Sequence, residues 1–262
     1  MLNIIKADLF RIIRGKGIYV CLLVIIAMSC TSIYLNSPGH IGNGTTLQTI
    51  QETNAAASSE EIPLDVALMQ VNANIYYPII FVVFTIMCVD LSNHTAKNVI
   101  STNVKRTTYY FSKLLLIWGL GIFLLAFSTY FSYFGNLWYN HPANVSNLGD
   151  ITIILLRQIP IFCGIMSVLV MIAAITQKTA RYNAIAILMI IVIQMLLMLV
   201  ITIFELDAYS VMQYEVETII YSVAVVGSIS TKTLMTAILM GLGLSVGSSV
   251  IGISYFNRCD IK

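Results

Sequence analysis

The sequence predicts an all-α polytopic membrane protein: six transmembrane helices, N and C termini cytoplasmic, an amphipathic N-terminal interfacial helix and a partly buried outer helix between spans five and six. Three observations lead there. The 262 residues are 58% hydrophobic and 10% charged with a mean hydropathy of +0.87, which leaves too little polar surface for a water-soluble domain. Apolar runs of roughly 20 residues, enough to cross about 30 Å of hydrocarbon, recur six times. Twelve of the fourteen Lys and Arg sit in one set of connections, opposite nine of the twelve acids. By the positive-inside rule the basic set faces the cytoplasm.

The elements follow in order. In residues 1–16, Leu2, Ile5, Leu9, Ile12 and Ile13 recur at helical spacing while Lys6, Arg11 and Arg14 point elsewhere, the pattern of a helix lying in the inner interface against anionic headgroups. Gly15 and Gly17 let the chain turn into the first span, Gly17–Leu35 (17–35). This start lacks the compact basic head, short apolar core and cleavage site of a signal peptide. Residues 36–70 form an extracellular loop rich in Gly, Thr, Asn and Ser, without Lys or Arg. The second span, 71–89, is the weakest, because Asn72, Asn74 and Pro78 occupy its first turns. The remaining spans are 114–134, 151–176, 184–204 and 233–256, and the whole chain 1–262 reads as a single transmembrane domain.

Between spans two and three lies DLSNHTAKNVISTNVKRTTYYFSK, residues 90–113, with Lys97, Lys105, Arg106 and Lys113. A plain reversal takes about 4–6 residues, so this stretch builds something more. We read a short helix from about Thr95 to Asn103, a break at Asn103, and a third span beginning near Thr107. Such a crosswise helix is a handle for a soluble partner; the alternative is a solvated basic loop that only fixes orientation. The connection 205–232 is too polar at its start to span and too apolar at its end for a loop. Ile219, Ile220, Val223, Val225 and Val226 either sink into the bilayer as a re-entrant helix or lie flat on its outer face.

Polar groups within the spans are few. Arg157 either snorkels to the outer boundary or pairs with Glu205 or Asp207 as an outer gate. Gln194, midway along span five, can hydrogen-bond to a neighbouring helix or across a subunit interface. Gly241, Gly243, Gly247 and Gly252 with Ser245, Ser248 and Ser249 let span six approach another helix closely, inside one subunit or between two. Met166, Met171, Met189, Met195 and Met198 suit varied apolar cargo, and serve equally as membrane filler.

These features weigh against several function classes. Cys21, Cys30, Cys88, Cys163 and Cys259 include no CxxC pair, so neither a disulfide framework nor a thiolate metal site is expected. No HExxH occurs, no buried carboxylate pair stands out, and no GxxxxGK[ST] phosphate loop is present. Enzymatic activity, a metal site and nucleic-acid binding are therefore not expected of this chain. A transporter driven by an ion gradient usually carries ionisable groups near the midplane, whereas Arg157 is peripheral.

Thr95, Ala96, Lys97 and Asn98, followed by Ile100, Ser101, Val104, Arg106, Tyr110 and Lys113, resemble the cytoplasmic connection after the second span of ABC-2 type permeases. The likeness is greatest to small exporters of peptide antibiotics, bacitracin, lantibiotics and phenol-soluble modulins. It departs at His94, where the family usually has Gly. The resemblance extends loosely to the N-terminal helix, the six spans and the connection before the last. It implies that residues 91–106 are a coupling helix region docked on a separate ATPase subunit. Thr95, Lys97, Asn98, Ile100, Lys105 and Arg106 would make the contacts, joined by Lys178 and Arg181 of the inner connection TQKTARYN. It further implies that the partner binds ATP and Mg, that two permease chains, identical or different, work together, and that the assembly sits in a bacterial cytoplasmic membrane. Its expected work is outward movement of amphipathic peptides or lipophilic antimicrobial compounds. A secondary transporter and a non-transporting immunity or sensor protein are the alternatives.

Overall fold

A computed structural model describes residues 2–35, 75–93, 95–101, 104–139, 147–204, 211, 214–225 and 229–258. Every regular element among them is a helix. Helix α1, Leu2–Arg14, is separated by the bend at Gly15 from α2, Lys16–Leu35. Then come α3, Tyr76–Ser92, and the short α4, Thr95–Ser101, set at 73° to it. Next are α5, Arg106–Tyr139, α6, Leu148–Thr176, and α7, Thr179–Ile203. The short α8, Val216–Val223, precedes α9, Thr231–Arg258.

Five of these, α2, α5, α6, α7 and α9, are long and apolar enough to cross a membrane, or six where the bent pair α3–α4 counts as one span. The chain is membrane-embedded on that evidence. Helix α3 is the irregular one: Phe84–Cys88 forms a π turn, and Pro78 sits in its first turn, where its missing N–H costs nothing. Asn72 and Asn74 lie outside the described residues. Helix α5 begins beside the expected start near Thr107, eight residues before the apolar run 114–134, and runs about 51 Å. Hydropathy marks only its apolar middle, whereas Tyr109, Tyr110, Ser112 and Lys113 continue the helix because they are buried against other elements.

The core lies where α3, α5, α6 and α9 meet around Ile79, Val83, Met87, Phe162, Met166 and Leu169. Helices α6 and α9 run parallel and touch backbone to backbone. A Cβ on Gly241 would collide with the Pro160 carbonyl, and one on Gly164 would stand 2.9 Å from the Gly241 oxygen. Gly252 likewise makes room for the Tyr110 ring, while a Cβ on Gly243 or Gly247 would meet nothing within 4 Å. Two of the four glycines thus serve packing within the chain, and two face outward.

Between the ends of the helices the polar chemistry divides. Helix α1, the ends of α3 and α9 and the start of α5 gather at one end, here the basic side; the Leu148 end of α6 and the Ile203 end of α7 mark the acidic side.

Candidate functional site

At the basic side, two acids and two bases from three elements close a cluster in which Asp8, Asp90 and Lys113 are buried and Arg11 forms the exposed rim. Lys113, 1% exposed, donates to Asp90 and stands 2.7 Å from Asp8 Oδ2. Asp90, 3% exposed, also accepts from Arg11, whose other terminal nitrogen lies 3.3 Å from Asp8. The Tyr109 hydroxyl donates to Asp90 Oδ2 at 3.4 Å. The formal charges cancel, which is the condition under which ions tolerate burial. Hydrogen bonding to Asp90 raises the Arg11 pKa above its ordinary value, with burial opposing and the charges of Asp90 and Asp8 assisting.

The expectation of no buried carboxylate pair is therefore corrected: Asp8 and Asp90 are both buried. Hydropathy and spacing miss them because they are distant in sequence and come together only when α1 packs against α5 and the π turn of α3. A signal did exist. With Asp260, these two are the only acids among the basic connections, set against the charge pattern.

The joint continues into α9. Arg106 donates to the carbonyls of Phe256 and Asn257 at 3.3 and 3.1 Å, satisfying oxygens that a helix C-terminus leaves without intrahelical partners. Tyr109 stacks on Phe256 with ring centroids 5.9 Å apart. Helices α1, α3, α5 and α9 are thus pinned at one place, and α4 is mounted on it.

The predicted coupling residues distribute as follows. Lys97 on α4 and Lys105 after it are exposed, Thr95 is half-buried, and Ile100 packs partly on the core. The backbone of Asn98 is helical. Arg106 turns inward to the end of α9. Lys178 and Arg181 are exposed at the tight α6–α7 turn, where Gln177 adopts a left-handed conformation with φ 51°. The short helix matches its expected start at Thr95, and α5 begins one residue before the expected Thr107; His94, Thr102 and Asn103 lie outside the described residues.

On the acidic side, Arg157 donates to the Val225 carbonyl at 3.3 Å. Its proposed gate partners, Glu205 and Asp207, lie outside the described residues. Helix α8 packs Ile219, Ile220 and Val223 against α6 and α9. Ala224, just beyond it, is buried with Ile151, Ile154 and Tyr133. At the other end of α8, Glu217 accepts from Gln194 Nε2 at 2.9 Å and from the Tyr221 hydroxyl at 3.1 Å. Gln194 lies about 14 Å along α7 from Ile203. This hydrogen bond brings the Glu217 end of α8 beside Gln194 of α7. It also places an acid, Glu217, against a polar residue of span five.

Among the described residues no group of His, Cys, Asp or Glu is arranged to hold a metal ion. An apolar groove of about 400 Å³ runs along one face of α5, lined by Phe123, Ala126, Phe127, Tyr130, Phe131 and Phe134. Compared with known proteins, the chain matches no family model and no curated protein.

Proposed function

We propose that the chain is the membrane-spanning permease subunit of an ATP-driven ABC exporter of the ABC-2 type. A separate ATPase subunit would bind ATP and Mg and push on α4 from the cytoplasm, and a second permease chain would complete the pathway. The observation that carries this reading is α4 itself: a seven-residue helix turned 73° from the preceding span and presenting Lys97 outward. Its mounting strengthens the argument. A push on α4 enters a joint made of buried ion pairs, which is stiff because each charge would be costly to separate.

Three further features fit. Helix α7 exposes Leu188, Val192, Leu196 and Leu199, an apolar surface suited to lipid or to a second copy. The aromatic groove on α5 suits lipophilic or amphipathic cargo. Separating ATP hydrolysis from the permease agrees with the lack of a phosphate loop.

Affinity purification of the tagged chain from its native membrane tests the reading. A nucleotide hydrolase should accompany it, and Lys97→Glu with Lys105→Glu should release that subunit while the permease stays folded. An active preparation free of any hydrolase would overturn it. Glu217, a carboxylate beside the middle of α7, favours a second reading, transport driven by an ion gradient. Uptake by the purified chain alone in liposomes under a pH gradient would select that reading.

A further inference from the structure

We propose that the outward face of α1 binds anionic phospholipid of the leaflet on the basic side, and that lipid held there steadies the ion-paired joint carrying α4. The inference concerns the chain and its bilayer, and it stands whether or not an ATPase drives the chain.

Helix α1 has two faces with different partners. Inward, Ile5 and Ile12 pack against the core, and Asp8, 8% exposed, reaches Lys113. Outward lie Lys6, Leu9, Phe10, Ile13 and Arg14, all exposed, with Lys16 exposed at the start of α2. Long cations mixed with bulky apolar groups suit neither bulk water nor hydrocarbon. They suit the boundary, where the apolar groups sink toward acyl chains and the cations stay at the phosphates.

The chain puts α1 at that boundary. Only the bend at Gly15 separates it from α2, a helix apolar enough to cross the membrane. The bend is braced, because the Tyr19 hydroxyl of α2 donates to the Ile13 carbonyl of α1 at 3.1 Å. The Arg14 guanidinium lies over the Phe10 ring, 5.1 Å from its centroid, which keeps the charge on the face that carries the apolar groups.

Charge selects the lipid. Among the described residues no Asp or Glu lies within ion-pairing distance of Lys6, Arg14 or Lys16, whereas both terminal nitrogens of Arg11 are taken by Asp8 and Asp90. The segments on this side outside the described residues hold one acid, Asp260. Three cations with so little acid to pair them are complementary to a phosphate surface, and each strengthens attachment to an anionic leaflet about fivefold. An acidic protein would match the charges too, yet the apolar side chains among them, at the foot of a span, meet acyl chains first.

Coupling follows from the shortness of α1. Asp8 and Arg11 ride on the same helix as Lys6 and Arg14, so headgroups that hold the outer face also fix two of the four charges of the joint. A ligand that binds the closed joint better than the open one stabilises it by mass action.

The test is hydrogen–deuterium exchange of the full chain, alone, in nanodiscs of phosphatidylcholine and in nanodiscs of phosphatidylcholine mixed with phosphatidylglycerol. The anionic discs should slow exchange in Leu2–Arg14 and in Thr95–Ser101 by at least about fivefold. Lys6→Gln with Arg14→Gln and Lys16→Gln should lose both effects. Lys97→Gln with Lys178→Gln and Arg181→Gln, which removes as much exposed charge from the same side, should keep them. Asp8→Asn with Arg11→Gln takes α1 out of the joint and leaves Asp90 paired with Lys113, so Leu2–Arg14 should still respond and Thr95–Ser101 should not. Equal exchange of wild type in the two discs would overturn the proposal, as would a response that survives the first triple variant or vanishes equally in the second. A response of Thr95–Ser101 that persists in the Asp8 and Arg11 variant would overturn the coupling. Inorganic phosphate that protects α1 as well in phosphatidylcholine discs would overturn the lipid surface in favour of a soluble anion. Since no ATPase takes part, failure here leaves the partner-subunit reading standing.

Discussion

Lys113 shows what one side chain can hold together. Its ammonium meets Asp90 and Asp8, so removing it leaves two buried acids with only Arg11 to balance them. Breaking a buried pair from one side costs about 3–5 kcal/mol, much more than deleting a surface charge. Lys113→Met is therefore expected to lower stability by about that amount in denaturant titrations of the micellar protein. Lys97→Met, at an exposed position of α4, should leave the curve unmoved. Adding Asp90→Asn to Lys113→Met restores neutrality, with Asp8 facing Arg11, and should recover a large part of the loss. If the double variant is as unstable as the sum of the two singles, the four charges do not act as one unit.

At the scale of the element, contact separates helices whose composition looks alike. Gly241 and Gly243 are both small residues in α9, yet the first abuts the Pro160 carbonyl and the second faces open space. Gly241→Ala must displace backbone, which moves less readily than a side chain, and overpacking of this kind costs about 1–3 kcal/mol. We expect a lower thermal midpoint for Gly241→Ala and an unchanged one for Gly243→Ala. A fall of equal size for Gly243→Ala would mean that its face is covered, as by a second chain. The same contrast shows how far the sequence could be read. Apolar runs locate α2, α6, α7 and α9 to within a few residues, because burial in lipid depends on local composition. Which face of α9 meets α6 depends on rotation and partner choice, to which composition is blind. The ion cluster was hidden for the same reason: Asp8 and Asp90 are separated by most of two helices and by a long connection. Gln194 was visible as a polar group in a span, but its partner Glu217 was not, because local pattern leaves the depth of α8 open.

For the whole molecule, sidedness decides whether the proposed mechanism is possible, since α4 can meet a cytosolic motor only if the basic side is cytoplasmic. The charge distribution argues that it is: Lys and Arg near span ends are retained inside during insertion, and the bias here is twelve against two. The fold places a strong share of that bias at one structural joint, because Arg11, Lys113 and Arg106 are locked to α3, α5 and α9. One helix cannot invert without breaking the cluster, so the orientation is set collectively. Single cysteines at Lys97, Lys178 and Leu148, all exposed, report the outcome in a background with the native cysteines replaced. A membrane-impermeant maleimide should label the first two only in inside-out vesicles and the third only in spheroplasts. Labelling of Lys97→Cys from outside would place α4 beyond the reach of any cytosolic ATPase, and would turn Glu217 and the acidic half of the chain toward the cytoplasm.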